Sequence, residues 1–366
     1  MGQTNTACAG KAIIRAKFLV ISRENKNQLS NIRGSMNSRD KTMLDRLLST
    51  VSDNYRITRI FAEYLERYPE LITKQMVDAL TEDGDITAKD AIVALLSEAF
   101  SLDYSRPDDR RLIMNYLTPS IRILDAEKYK RNPYYQNIKI ENIRLGGWEL
   151  KQEKYPAYRG VIAADMMLFD DFREVPPLGF FTEDFPFPAV LEGGNEWMTL
   201  TPVDLDTCED AIEMAHGKVV TYGLGLGYYA YMVSRKPRVE SITVVEKSPD
   251  VIKLFTEHIL PQFEHKEKVK IIEADAFEYA EKEAPKEGYT LAFVDTWRDA
   301  SDGEPMYRKM KPLEKLSHGT KFMYWIENFL ISRTRALRLD KLLSMIEECH
   351  ENAPKSYEEF ITEYTK

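Results

Sequence analysis

The chain is poor in the residues that most often announce metal or nucleophile chemistry. It has three cysteines, Cys8, Cys208 and Cys349, and five histidines in 366 residues. The cysteines are far apart and odd in number, so they suggest neither a disulfide framework nor a thiolate metal site. That usage suits a reducing compartment, and a cytoplasmic protein is expected. No histidine pairs with a serine or cysteine in a pattern that marks a nucleophile and its base. No apolar run approaches the roughly 20 residues needed to span a bilayer, so no membrane association is expected. Positive charge is in deficit too. The formal net charge is −9, and the body of the chain has no basic block, which disfavours duplex nucleic acid as the main partner. Asp83-Gly84-Asp85 lacks the ligand ladder and closing Glu of a calcium loop and reads as a helix-capping turn, so no metal is expected.

What is present is an ordinary globular composition, 43% hydrophobic and 30% charged, on a chain long enough for two domains or one enlarged one. Residues 1–39 differ from the rest. They are rich in Lys and Arg with a single acid, Glu24, and their apolar patch AIIRAKFLVI is interrupted by Arg15 and Lys17. They read as a leader outside the fold, either an organelle transit peptide or an extension upstream of a start near Met36. Residues 40–131 place apolar side chains at three- and four-residue spacing, the pattern of amphipathic helices, with Thr87 and Asp90 forming an N-terminal cap and one or two further helices over 108–128. Around Pro133 the period drops to two. Ile138, Ile140, Ile143 and Leu145 alternate, and VIAADMMLF at 161–169 is a strand candidate, so 132–195 reads as a small, mostly antiparallel β-element.

Residues 196–366 carry the most informative pattern. The run VVTYGLGLGYYAYM at 219–232 is an apolar strand ending in three alternating glycines and followed by a helix start. Glycine is needed where backbone takes positive φ or approaches a ligand without a Cβ in the way. A second apolar run ends in Glu246, about 20 residues further on, where a carboxylate can take the hydroxyls of a ribose. An adenosine-containing cofactor follows from that pair. The glycines run G-x-G-x-G, with Tyr228 where a dinucleotide site has its third glycine, so a dinucleotide is not the natural occupant. Strands are expected at 218–222, 241–246, 268–273, 290–295 and 321–327, separated by helices such as 250–263 and 331–348. Alternating βα units predict an α/β fold with a doubly wound, Rossmann-like parallel sheet whose ligand lies beyond the carboxyl ends of the strands.

Taken together, the glycine loop, Glu246, the Asp275-Ala276 pair after strand three and Asp295 after strand four resemble the class I S-adenosylmethionine-dependent methyltransferases over roughly residues 195–350. The resemblance implies S-adenosylmethionine as cofactor. The loop from Tyr222 through Gly223, Gly225 and Gly227 would line its methionine and ribose, and Glu246, followed by Lys247, would accept from the ribose hydroxyls. Asp275 would accept from the adenine amine while the Ala276 amide donates to the ring. Asp295 would sit at the reacting end, as cofactor contact and catalytic group. Thr221 stands where many family members carry an acid. Trp197, Trp297 and Glu327 are candidates for substrate contact, and Tyr228, Tyr229 and Tyr231 for a mixture of ligand contact and packing. Beyond 348, ENAPKSYEEFITEYTK reads as loop plus a short helix where the family usually has a closing hairpin, so a sheet truncated at five or six strands is expected.

The expected activity is methyl transfer to a small molecule, or less readily to a protein side chain. The helical residues 40–131 would cover the cofactor face or mediate self-association into a homo-oligomer. Two other readings remain. Spermidine-synthase-like aminopropyltransferases share the core, but they resemble G-G-G-D-G and D-S-S-D-P where this chain has GLGLG and DTWRD. A noncatalytic sensor or scaffold that only binds S-adenosylmethionine is the third.

Overall fold

The computed structural model describes residues 32–34, 36–348 and 353–365. Most of the expected leader, 1–31 and residue 35, lies outside them. The part that is described packs into the fold. Ile32 and Met36 are buried beside Leu44, Leu47 and Leu48 of a long helix, α1 (Ser38–Arg67), whose first turn is capped by the Asn37 side chain. Two shorter helices follow, α2 (Lys74–Thr81) and α3 (Ala88–Ala99). The second starts on the expected capping box, in which Thr87 and Asp90 bond each other's backbone reciprocally.

The helical expectation over 108–128 needs correction in its second half. A helix, α4 (Pro107–Leu112), continues through a π-turn at Ile113–Leu117, but Ile121–Leu124 is a strand, β1. The β-branched Ile121 and Ile123 favour extended backbone, and the burial of Ile121 and Leu124 against the sheet beside them decides the matter. Eight strands follow: β2 (Ile143–Leu145), β3 (Trp148–Tyr155), β4 (Gly160–Ile162), β5 (Met167–Leu168), β6 (Glu174–Val175), β7 (Leu178–Phe181), β8 (Phe185–Glu192) and β9 (Asn195–Thr199). The candidate strand at 161–169 is thus two short strands with a break between them. β2, β3, β8 and β9 form an antiparallel sheet in that order, while β7 pairs in parallel with β1 and antiparallel with β4. Between β8 and β9 the register slips: Val190 faces Met198 and Leu191 faces Glu196, so Trp197 is an extra residue on β9. Such a bulge breaks the alternation of sides along a strand and re-aims its side chains.

A helix, α5 (Pro202–Met214), leads into the main sheet. Its strands are β10 (Gly217–Tyr222), β11 (Val239–Glu246), β12 (Val269–Glu273), β13 (Leu291–Val294) and β14 (Lys321–Tyr324), all parallel, in the order β12-β11-β10-β13-β14. This is a doubly wound, Rossmann-like arrangement. The strand order reverses between β10 and β13, so the crevice at their carboxyl ends is the switch point at which such sheets bind ligands. Val219, Val220, Val244, Ala292 and Val294 are fully buried, as expected for strands covered on both faces. After β14 the described residues form two helices, α8 (Glu327–Glu348) and α9 (Tyr357–Thr365), the numbers α6 and α7 being kept for Tyr228–Ser234 and Ala300–Met310. Strand five therefore ends before Trp325, and Glu327 is the first residue of α8. Ile326 makes the turn at φ 49°. Asp165 holds that turn from outside: its carboxylate accepts from the Asn328 and Phe329 amides at 2.9 and 3.1 Å. Among the described residues no helix is long and apolar enough to cross a membrane.

Candidate functional site

The glycine loop leaves the centre of the sheet. Gly223 follows β10 at φ 96°, and a Cβ there would run into the Asp295 carbonyl oxygen. Only glycine meets both demands, positive φ and contact with neighbouring backbone. Gly225, at φ 49°, is shielded by Met198, whose thioether sulfur takes the space a Cβ would fill and accepts from the Leu226 amide at 3.2 Å. Gly227 is one step further on, as the N-cap of α6.

Four carboxylates surround this loop. Glu246, at the end of β11, accepts from the Lys247 and Ser248 amides at 2.8 Å through Oε1 and from the Leu224 amide at 3.2 Å through Oε2. Asp275 caps the helix Ala276–Lys282: its Oδ1 accepts from the Phe277 and Glu278 amides at 2.9 and 3.1 Å. Among the described residues its Oδ2 makes no hydrogen bond, and Asp275 lines the cavity. Asp204, on α5, is buried and accepts from the Thr201 amide and hydroxyl at 2.7 and 2.8 Å, yet desolvation outweighs these bonds and its carboxyl is pushed up to about 7. Asp295, just past the end of β13, lines the cavity. Desolvation first, then the nearby Asp204 and Glu246 charges, push it well above the usual carboxylate range. Asp204 and Asp295 are thus neighbouring acids both raised by burial, and a cation bound beside them would favour their charged forms.

One cavity, with about 840 Å³ of space including its open mouth, gathers most of the expected residues. Gly223, Gly225, Glu246, Lys247, Asp275 and Ala276 line it from the β10 to β12 side, Asp295 and Trp297 from the β13 side, and Trp197 from β9. The remaining candidates lie elsewhere. Tyr222 is buried in the sheet, edge-on to Tyr279. Gly227 caps its helix outside the lining. Glu327 accepts from the Tyr307 hydroxyl at 2.8 Å and faces Lys311 at 3.6 Å, where it anchors the start of α8. Thr221 is buried behind the loop, with its hydroxyl 3.5 Å from the Gly223 carbonyl. The tyrosines on α6 pack. Tyr228 and Tyr231 accept from Asn132 and Asn137 at 3.0 and 2.9 Å, and Tyr229 stacks on Phe293 at 4.5 Å.

The structure also brings in residues the motifs did not single out: Met198 and Thr199 from β9, Asp204 from α5, Met306 from α7 and Trp325 after β14. The Thr201-Pro202-x-Asp204 pattern is a helix-start signature, which accounts for Asp204 in the sequence without pointing to a site. Trp325 sits in the apolar run KFMYWIE and reads as core.

No family model and no curated protein matches the chain. Solved structures that align with it include spermidine synthase from Thermotoga maritima, at 13% identity over 57% of this chain and 75% of that one with a TM-score of 0.29. Another is spermidine synthase in complex with the transition state analogue AdoDATO, again at 13% identity and TM-score 0.29, over 57% of this chain and 74% of that one. Likeness at this level carries no argument about the site, so the reading rests on the geometry above.

Proposed function

We propose that the cavity binds S-adenosylmethionine and that the protein is a transferase passing its methyl group to a small-molecule acceptor. One observation carries this reading: the loops after four parallel strands bring the glycine turn, Glu246, Asp275-Ala276 and Asp295 around a single cavity at the switch point. Gly223 and Gly225, at positive φ and without side chains, line the cavity and present backbone to a ligand there.

Glu246 is held as an acceptor by three amides, which leaves one lone-pair direction on Oε2 for a ribose hydroxyl; bonding both hydroxyls displaces the Leu224 amide. Asp275 offers Oδ2 to an exocyclic amine and keeps Oδ1 on its helix. With Thr221 uncharged and behind the loop, Asp204 is the acid that takes the cofactor's ammonium group. Asp295 faces the positive end beside it. When bound, the cofactor supplies a methyl group on a sulfonium whose sulfur keeps the bonding electron pair as a nucleophile takes the methyl. Walls from Trp197, Trp297 and Met306 exclude water and align the acceptor, which is most of what such a transfer asks of a protein.

Methyl transfer is favoured over aminopropyl transfer by Asp299, the second acid of DTWRD. It accepts from the Ser301 amide at 2.6 Å as the cap of α7 and does not line the cavity. The test is calorimetric titration with S-adenosylmethionine and S-adenosylhomocysteine, followed by product analysis. Binding with release of S-adenosylhomocysteine in the presence of an acceptor mixture supports the reading. Tighter, competitive binding of NADH overturns the cofactor, and methylthioadenosine as main product overturns the group transferred.

A further inference from the structure

The cavity is chemically divided by the order of the sheet. Glu246 and Asp275 follow β11 and β12, on one side of β10. Thr296, Trp297, Arg298 and Trp325 follow β13 and β14, on the other. The first side carries mostly acceptors, with Lys247 beside them. The second holds Asp295 at the strand end but otherwise mostly donors.

Three of these donors are unsatisfied. The indole N–H groups of Trp297 and Trp325 and the Thr296 hydroxyl are buried and make no hydrogen bond among the described residues, although all three residues line the cavity. Both indoles belong to side chains 5% exposed. Buried polar groups without a partner are rare in folded proteins and ask for an explanation. An indole N–H can only donate, so its missing partner is an acceptor. Beside them stands Arg298, another group that only donates. Its guanidinium lies 5.5 Å from the centre of the Trp197 ring and 3.4 Å from the Asp302 carboxylate. The walls here are flat: Trp297 lies parallel to Tyr324 within 13°, and Trp197, thrown out by the bulge of β9, stands across from Arg298.

We propose that this half of the cavity holds the methyl acceptor, and that the acceptor is a planar aromatic molecule carrying a carboxylate. The ring lies among the tryptophans, and the carboxylate takes the indole N–H groups under the charge of Arg298. This rests on the methyltransferase reading, since it leaves the other half to the cofactor. The cofactor's own carboxylate is a second source of the same chemistry, and the test separates the two.

The full chain contains four tryptophans, so a nitrogen-15 correlation spectrum gives four indole N–H signals, assigned with single Trp→Phe variants. Calorimetry first measures S-adenosylhomocysteine binding. The loaded protein is then titrated with benzoate, 4-hydroxybenzoate and indole-3-carboxylate, and with the matching neutral amides. The expected result is a downfield shift of the Trp297 and Trp325 signals on adding an acid, an unmoved Trp148, and acids bound about tenfold more tightly than amides, the weight of one charge-assisted hydrogen bond. Arg298→Gln should narrow that preference while leaving S-adenosylhomocysteine affinity unchanged. If S-adenosylhomocysteine alone moves both signals and no acid moves them further, the donors serve the cofactor and the assignment falls. Equal affinity for acids and amides also overturns it. Failure of S-adenosylhomocysteine to bind overturns the methyltransferase reading, and the acceptor assignment with it.

Discussion

Two regions build the cavity by different means. On the β10 to β12 side every wall group follows a parallel strand, and the sheet itself puts it there, because the ends of adjacent parallel strands fall on one edge. The segment from β9 into α5 reaches the same cavity from outside the sheet. It does so through a bulged strand that brings Trp197, Met198 and Thr199 to the lining in succession and through a capped helix start that carries Asp204. The first region is rigid by topology and reads as cofactor machinery. The second depends on packing, where one residue inserted or lost would turn its side chains away.

Breaking the first region at its centre should have the largest effect. Gly223→Ala forces a side chain into left-handed backbone and against the Asp295 carbonyl, so no rotamer relieves it. A destabilisation of about 3 kcal/mol or more is expected in urea unfolding, with loss of measurable S-adenosylhomocysteine binding. A variant of normal stability would mean that the loop relaxes freely and that topology does not hold it.

Glu246→Ala tests the same side with the fold left alone. Removing the acceptor should weaken S-adenosylhomocysteine by about 1–3 kcal/mol in calorimetry. Part of that loss is the Leu224 amide, which loses its partner at 3.2 Å. Glu246→Gln keeps an acceptor for the amides and should recover some of the affinity. Unchanged affinity in the alanine variant would remove the ribose assignment.

How far the sequence could be read follows the same division. A buried parallel strand announces itself as a short β-branched run, and its end as glycine or acid. Gly223, Glu246, Asp275 and Asp295 were therefore accessible to spacing alone. Met198, Asp204 and Trp325 were not, for a physical reason in each case. Met198 reaches Gly225 only because the register slips at Trp197, and a bulge leaves no period in the sequence. Asp204 satisfies a capping box and so looks fully explained. Trp325 lies in an apolar run, and its exclusion from β14 depends on Asp165, which is 163 residues from Asn328 and bonds its amide. Strand β1 is illegible for a similar reason, because Ile121–Leu124 pairs with a strand more than fifty residues away.

Asp204 sharpens the comparison through pH. Its carboxyl is pushed from 3.8 to about 7 by burial. The native state therefore keeps a proton that the unfolded chain releases between pH about 4 and about 7. Stability falls as pH rises through that window. Asp204→Asn stays neutral and can keep the Thr201 amide bond, so its unfolding midpoint should lose part of this slope. It should match the parent near pH 4 and exceed it by up to about 4 kcal/mol at pH 8. Asp295 contributes in the same direction, so the slope should shrink rather than vanish. At pH 8 the variant should also bind S-adenosylmethionine about tenfold more weakly, having lost the charge that faces the ammonium. Unchanged binding would leave Asp204 a structural cap and confine the cofactor to the strand ends.

The smallest effect separates two roles carried by one residue. Asp275 caps the helix Ala276–Lys282 through Oδ1 and lines the cavity, with no hydrogen bond to Oδ2 among the described residues. Serine caps a helix about as well as aspartate, but its hydroxyl is shorter and neutral. Asp275→Ser should therefore cost a few tenths of a kcal/mol in unfolding, against about 1 kcal/mol for Asp275→Ala. If Oδ2 accepts from the adenine amine, both variants lose about 1 kcal/mol of S-adenosylhomocysteine affinity alike, because neither carries the second oxygen. If Asp275 only caps, affinity should follow stability instead, with Asp275→Ser close to the parent. Measuring both quantities on both variants decides between a strand-end acid that touches the cofactor and one that merely starts a helix.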